Sequence, residues 1–403
     1  MIAGTSVLSG LGHALSLAGS MTWQILWALI LGFCLAAVVQ AVVRKSEVAK
    51  LLGGEKPRTL AIATGLGAAS SSCSYAAVAL ARSLFRTGAS FISAMAFEIA
   101  STNLVVELGI ILALLIAWQF TLAEFVGGPI MIVLLAVTFR LFLRRRLLEE
   151  AREQADRGLV GSMEGHAAMD MSIQRSGPVW RRLRSPGALT AVSHIFVMEW
   201  AAVIRDIVIG LLLAGAIAAW VPESFWQQFF LTSHPLGAKL WGPVIGPVVS
   251  MMSFVCSIGN VPLAGVLWNA GISFGGVVAF IFADLIILPI LNIYRKYYGM
   301  RMMLFILATF YATMVASGYI IEFLFGALGL VPATREAKVV EASVTLNYTT
   351  VLNIAFLILA AVLVVRFIRS GGSSMLKMMG GAPEQASAHG DHHHQLDGAA
   401  SGD

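Results

Sequence analysis

The polar and apolar positions of this chain fall into long blocks. Apolar runs cover roughly Trp23 to Val43, Thr59 to Leu84, Gly88 to Trp118, Leu122 to Phe142, Ala202 to Trp220, Gly242 to Trp268, Ile272 to Tyr294, Met302 to Leu328 and Val351 to Val365. A helix needs about 20 apolar residues to cross a hydrocarbon core, and most of these runs are near that length. Gly88 to Trp118, at about 30 residues, predicts a tilted span. Two runs are interrupted. Ser70-Ser71-Ser72-Cys73-Ser74 breaks the second, and Pro243, Pro247, Gly259 and Pro262 break the sixth. The pattern predicts an all-α, polytopic transmembrane helical bundle. The tail from Gly371, rich in Gly, Ser and Ala, predicts disorder.

Composition changes the picture little. The 403 residues are 58% hydrophobic and 12% charged, against about 25% charged in a soluble domain. So apolar a surface needs a lipid bilayer as its partner. The net charge of +5 reads as basic loops that set orientation. No nucleic-acid motif accompanies it, so nucleic acid is not an expected partner. Three cysteines, Cys34, Cys73 and Cys256, form neither a disulfide framework nor a metal spacing, and no cofactor is implied. Met1 to Ser20 carries no Lys or Arg. It lacks the basic start of a signal peptide, so the first apolar run is expected to remain as a span.

The chain repeats itself. Residues 73–101 align with 256–284 without a gap, at an offset of 183, with 12 of 29 positions identical. The pairs include Cys73/Cys256, Ser74/Ser257, Gly88/Gly271, Ser90/Ser273 and Phe91/Phe274. Charge supplies an independent argument. The positive-inside rule puts Arg44–Arg58, Arg144–Arg184, Arg295–Arg301 and Arg366/Arg369 on the cytoplasmic side. If every run crosses fully, this parity fails. It is restored if Thr59–Leu84 and Gly242–Trp268 each enter and return on one side. The expectation is therefore two inverted repeats, each containing a broken or re-entrant helical hairpin, with a site where the tips meet near the midplane. The expected organisation is a first transmembrane repeat (1–142), a cytoplasmic basic linker (143–188), a second repeat (189–330), an extra transmembrane helix (331–370) and a cytoplasmic tail (371–403). The N-terminus is expected outside and the C-terminus inside.

Broken backbone at membrane depth is tolerated only inside protein or along a wet cavity. The residues at the tips are therefore the expected solute contacts: Cys73, Ser74, Cys256, Ser257, Asn260 and Asn103. The two thiols suit a soft metalloid or metal, although a buried cysteine also serves as small apolar filler; a metal ligand set is not defined. Asp284, Glu98 and Glu107 fall within apolar runs, where a carboxylate costs roughly 2.5–3.5 kcal/mol on insertion scales. They are the candidates for a proton or cation that drives transport. Arg82 and Arg86 are expected at the cytoplasmic return of the first hairpin, and His392 to His394 in a solvated tail.

Phe254-Val255-Cys256-Ser257-Ile258-Gly259-Asn260-Val261-Pro262-Leu263 resembles the signature of a predicted permease family that includes ArsP- and YraQ-like proteins. Gly271 to Gly276, Phe282-Ala283-Asp284-Leu285 and the first-half Ser72-Cys73-Ser74, Gly88 and Ser101-Thr102-Asn103 extend the match over most of residues 20–330. The resemblance implies a multi-spanning permease of the bacterial cytoplasmic (inner) membrane; some members export trivalent organoarsenicals. Several relatives read nearer to Pro-Phe-Cys-Ser-Cys in the first motif. Here Ser71 and Tyr75 flank a single thiol, Cys73, so transport is implied and an arsenical is not. The expected function is a permease moving a small solute (a metalloid, metal or small ion) by alternating access. No P-loop occurs, so the energy would come from an ion gradient, a partner protein or the solute itself; a homo-oligomer is compatible. A channel is the alternative. An intramembrane enzyme is a weaker one, because it would need a base such as His within a span, and no His falls mid-run.

Overall fold

The computed structural model describes residues 2–42, 48, 50–156, 187–220, 223–253, 257–337 and 348–373. Among them there is no strand. The first half contains α1 (Ile2–Val42), α2 (Pro57–Ser70), α3 (Ser74–Arg86), α4 (Phe91–Asn103), α5 (Val106–Leu115), α6 (Trp118–Phe142) and α7 (Arg145–Asp156). The second half contains α8 (Ala188–Trp220), α9 (Glu223–Phe229), α10 (Pro235–Ser253), α11 (Ser257–Asn269) and α12 (Phe274–Phe282), then a 3-10 turn (Ala283–Ile286), α13 (Leu288–Tyr298), α14 (Met300–Ala327) and α15 (Tyr348–Arg369).

By length and composition, Phe91–Leu115, Trp118–Phe142, Met300–Ala327 and Thr349–Arg369 can each cross a membrane. Phe274–Ile286 and Leu288–Tyr298 qualify together but are bent by 43° at their junction. The chain is a multi-pass, all-helical membrane protein. Its exposed large apolar side chains, such as Val133, Leu304, Ile358 and Val362, fit a lipid-facing surface.

The repeat in sequence is a repeat in structure. α3 and α11 are related by 183 residues at both ends, and α4 corresponds to α12 plus its 3-10 turn. α2 and α10 end at equivalent positions, Ser70 and Ser253. The turns match atom by atom. Gly88 N donates to Phe85 O and Gly271 N to Trp268 O; Ala89 N donates to Leu84 O and Ile272 N to Leu267 O. Both glycines take positive φ, +115° and +111°, which a side chain would strain. Ser90 and Ser273 then cap the next helix, accepting from Ser93 N and Gly276 N.

Two ends of the bundle can be told apart. At the basic end, Ser90 and Ser93 donate to Gly54 O, Arg140 to Glu55 O, Gln154 to Lys296 O and Arg301 to Glu150. Phe91 stacks on Phe139 there. At the far end, Phe120 packs on Phe274 and Trp268, Glu322 accepts from Gly275 N, and Arg335 donates to Trp268 O and Ile272 O. α6 and α14 run between these ends. The residues before α2 and after α3 meet at the basic end, where Ser90 N donates to Leu52 O, and those before α10 and after α11 meet at the far end, where Gly271 sits against Thr232.

The structure refines several expectations. α1 is longer than the predicted Trp23–Val43 span, and α8 begins before Ala202. Gly88–Trp118 is divided into two helices, α4 and α5, at Leu104-Val105. The polar stretch after Phe142 begins with a helix, α7, which holds Arg82: that guanidinium is buried, donates to Ala155 O at 2.8 Å and lies over the Tyr297 ring. The tail histidines lie outside the described residues.

Candidate functional site

The hairpin break in the first half has a definite construction. Ser71 takes φ +36°, and Ser72 N donates to Ser101 O at 2.8 Å, so the interrupted backbone is partnered from α4. Cys73 is the N-cap of α3; its Sγ accepts from Ala76 N at 3.4 Å. Gln40 of α1 donates to Ser70 O at 3.3 Å, at the end of α2, and to Glu199 of α8 at 3.0 Å. Beside the break is a cavity of about 100 Å³ between α1, α2, α3 and α4, mainly apolar, with Gln40, Ser70 and Ser83 as its polar lining.

Asp284 joins the two halves. It lies in the 3-10 turn that interrupts the α12–α13 path and is 0% exposed. Ser74 Oγ donates to its Oδ2 at 2.6 Å, and Asn103 Nδ2 to its Oδ1 at 3.4 Å. Ser74 opens α3 and Asn103 closes α4, so one carboxylate of the second repeat bridges both broken ends of the first. The start of α3 is also the positive end of a helix dipole, which favours an anion there. The Asn103 side-chain oxygen, Oδ1, has no hydrogen-bond partner.

Further carboxylates surround this point. Glu98, one turn before the end of α4, accepts a hydrogen bond from Tyr294 OH of α13. Glu98 and Glu124 are both within electrostatic reach of Asp284. Glu124 of α6 is buried, and neither of its carboxylate oxygens has a hydrogen-bond partner. Among the described residues, no Lys, Arg or His forms an ion pair with these three groups. Charge buried in this way is costly unless a proton or cation neutralises it.

The expected site residues thus separate. Ser74, Asn103, Asp284 and Glu98 come together. Glu107 does not join them: it lies against Gly32 of α1 and near Glu199 of α8. Asn260 is engaged within its own hairpin, donating to Ser250 Oγ and accepting from Ser253 Oγ, both at 3.1 Å. Ser257 is buried at the start of α11. Cys256 lies outside the described residues. Among those described, no three His, Cys, Asp or Glu side chains gather as metal ligands. Sequence reasoning missed Glu124, Tyr294 and Gln40. Glu124 falls two residues into the predicted Leu122–Phe142 run, where a carboxylate reads as interfacial. Phe120, just before it, is buried against Trp268 and Phe274, a tertiary contact that no sequence pattern marks.

Broken helices beside buried polar groups are a common plan among membrane transporters. The family described as "Predicted permease" matches residues 10–323, and the chain belongs to that family. It is 70% identical, over 384 residues covering 95% of each chain, to the "Putative permease Rv2963" of Mycobacterium tuberculosis (strain ATCC 25618 / H37Rv). No solved structure matches the chain.

Proposed function

We propose that this permease moves a small solute across a bacterial cytoplasmic membrane by alternating access between two inverted repeats, with Asp284 coupling solute movement to a proton or cation. The observation that carries the reading is the pair of hydrogen bonds from Ser74 and Asn103 to Asp284. Rocking one repeat against the other must lengthen or exchange them, so the charge state of Asp284 and the conformation of the bundle are linked. Inversion is supported by where the equivalent helices start: α4 at Phe91, packed at the basic end, and α12 at Phe274, packed at the far end. Both run to the same centre.

Orientation follows from charge. The basic end gathers Arg86, Arg140, Arg145, Lys296 and Arg301 and is assigned to the cytoplasm. α1 then starts outside and α15 ends inside. Cys73, Ser74 and Asn103 would meet the solute at the first hairpin tip; Ser257, Asn260 and Cys256 would take the equivalent part in the second hairpin. Asn260, tied to Ser250 and Ser253, holds its hairpin tip in shape, and Glu107, away from Asp284, would act on the α1–α8 side.

The test is uptake into everted vesicles with a panel of metalloids, metals and small anions, comparing the wild type with Asp284→Asn, Cys73→Ser and Cys256→Ser. The Asp284→Asn side chain keeps the shape of the turn but cannot cycle a charge. Gradient-driven transport should fall at least tenfold with normal protein levels, while exchange of solute on both sides persists. Wild-type gradient-driven rates in Asp284→Asn would dispose of the coupling role.

A further inference from the structure

The final helix, α15, lies beyond the family match, which stops at residue 323. It packs on α1 and α8: Trp27 meets Phe356, and Arg366 donates to Thr190 Oγ1 at 2.9 Å through Nη2 and 3.3 Å through Nε. Between the start of α8 and the end of α15 is an open groove of about 670 Å³. Its walls are Leu189, Ile358, Val362 and Val365, all exposed. Its rim is Thr190, Arg366, Arg369 and Ser370. No carboxylate among the described residues pairs with Arg366 or Arg369.

Depth gives this arrangement its meaning. About 20 helical residues fill a hydrocarbon core, so a helix entering at Tyr348 leaves it near Phe367. The two guanidiniums therefore sit at phosphate level, and the apolar walls run inward from them at acyl-chain level. A lone arginine there would be explained by snorkelling. Two arginines with two hydroxyls, roofing a groove lined by aliphatic side chains, match a diacyl lipid with an anionic phosphodiester headgroup. We propose that this groove is a binding site for an anionic phospholipid of the inner leaflet, holding α15 against α8.

The test uses the full chain purified in detergent, with phosphatidylglycerol and phosphatidylcholine of identical acyl chains, and native mass spectrometry as the readout. The wild type should retain phosphatidylglycerol about thirtyfold in preference, and Arg369→Gln about fivefold, at the usual worth of a basic residue near an anionic surface. Arg369→Gln leaves the Arg366–Thr190 bonds intact, so its fold is not in question. Arg366→Gln with Arg369→Gln should abolish the preference. Equal retention of the two lipids by the wild type would overturn the proposal. So would competition by millimolar glycerol phosphate, which would mark a site for free phosphate. A preference that emerges only after removal of residues 374–403 would show that the chain's own tail occupies the groove, and would overturn it as well.

Discussion

Asn353 shows how one side chain fixes a helix in this protein. Its amide donates to Trp23 O at 2.7 Å and accepts from Trp27 N at 2.9 Å. Those two backbone groups are i and i+4 of α1, the partners of one rung of a helical ladder. Asn353→Leu leaves them free to satisfy each other, so the loss should be about 1 kcal/mol, the usual scale of an interhelical hydrogen bond in a membrane. Asn353→Asp keeps the shape but sets an acceptor against the Trp23 carbonyl and buries a charge. It should cost about 2.5 kcal/mol or more. Thermal unfolding in detergent separates the two; an aspartate variant as stable as the leucine variant would refute the clamp. The same logic bears on Asp284: its oxygens face donors from Ser74 and Asn103, and its candidacy was legible in the sequence because it follows the repeat motif. Its partners could not be read, since Ser74 and Asn103 are 210 and 181 residues away.

At the scale of elements, the hairpins are held by backbone contact. A Cβ on Gly246 of α10 would lie 2.4 Å from Gly276 O of α12, and one on Gly67 of α2 would lie 2.4 Å from Phe97 O of α4. Small residues on these faces let each hairpin's entering helix approach its neighbour closely. Gly246→Ala should destabilise by about 1–3 kcal/mol, the usual cost of overpacking. Gly65→Ala, with nothing within 4 Å, should be neutral or stabilising by up to about 1 kcal/mol through helix propensity. The two unfolding midpoints measured side by side decide the matter: equal shifts would mean the close approach is not a determinant. Element existence was legible, because the offset of 183 and the break at Ser70–Ser74 survive as helix boundaries. The breaks inside Gly88–Trp118 and Ile272–Tyr294 were not. Leu104-Val105 and Ile286-Ile287 are apolar, and hydropathy carries no mark where an apolar chain turns. α7 was also missed; its helix gains its place from the Arg82 guanidinium that it accepts at Ala155 O, a contact set by tertiary structure.

For the whole molecule, the proposed inverted arrangement makes a claim about sidedness that no single helix can make. Both halves contribute to each end, and the ends differ in charge. Glu55 and Lys296, one from each half, are exposed at the basic end, and His234 and Glu336 are exposed at the far end. With Cys34, Cys73 and Cys256 replaced by serine, single cysteines at these four positions report which face each end occupies. In intact cells a membrane-impermeant maleimide should label His234→Cys and Glu336→Cys and leave Glu55→Cys and Lys296→Cys unmodified; everted vesicles should reverse the pattern. The four positions are informative together. A full crossing by Thr59–Leu84 would put Glu55 and Lys296 on opposite sides, because the parity between them would change by one. A full crossing by Gly242–Trp268 would likewise divide His234 from Glu336. Labelling in two matched pairs therefore tests both proposed re-entrant hairpins at once, and a split within either pair would remove the opposed tips on which the proposed midplane site at Asp284 depends.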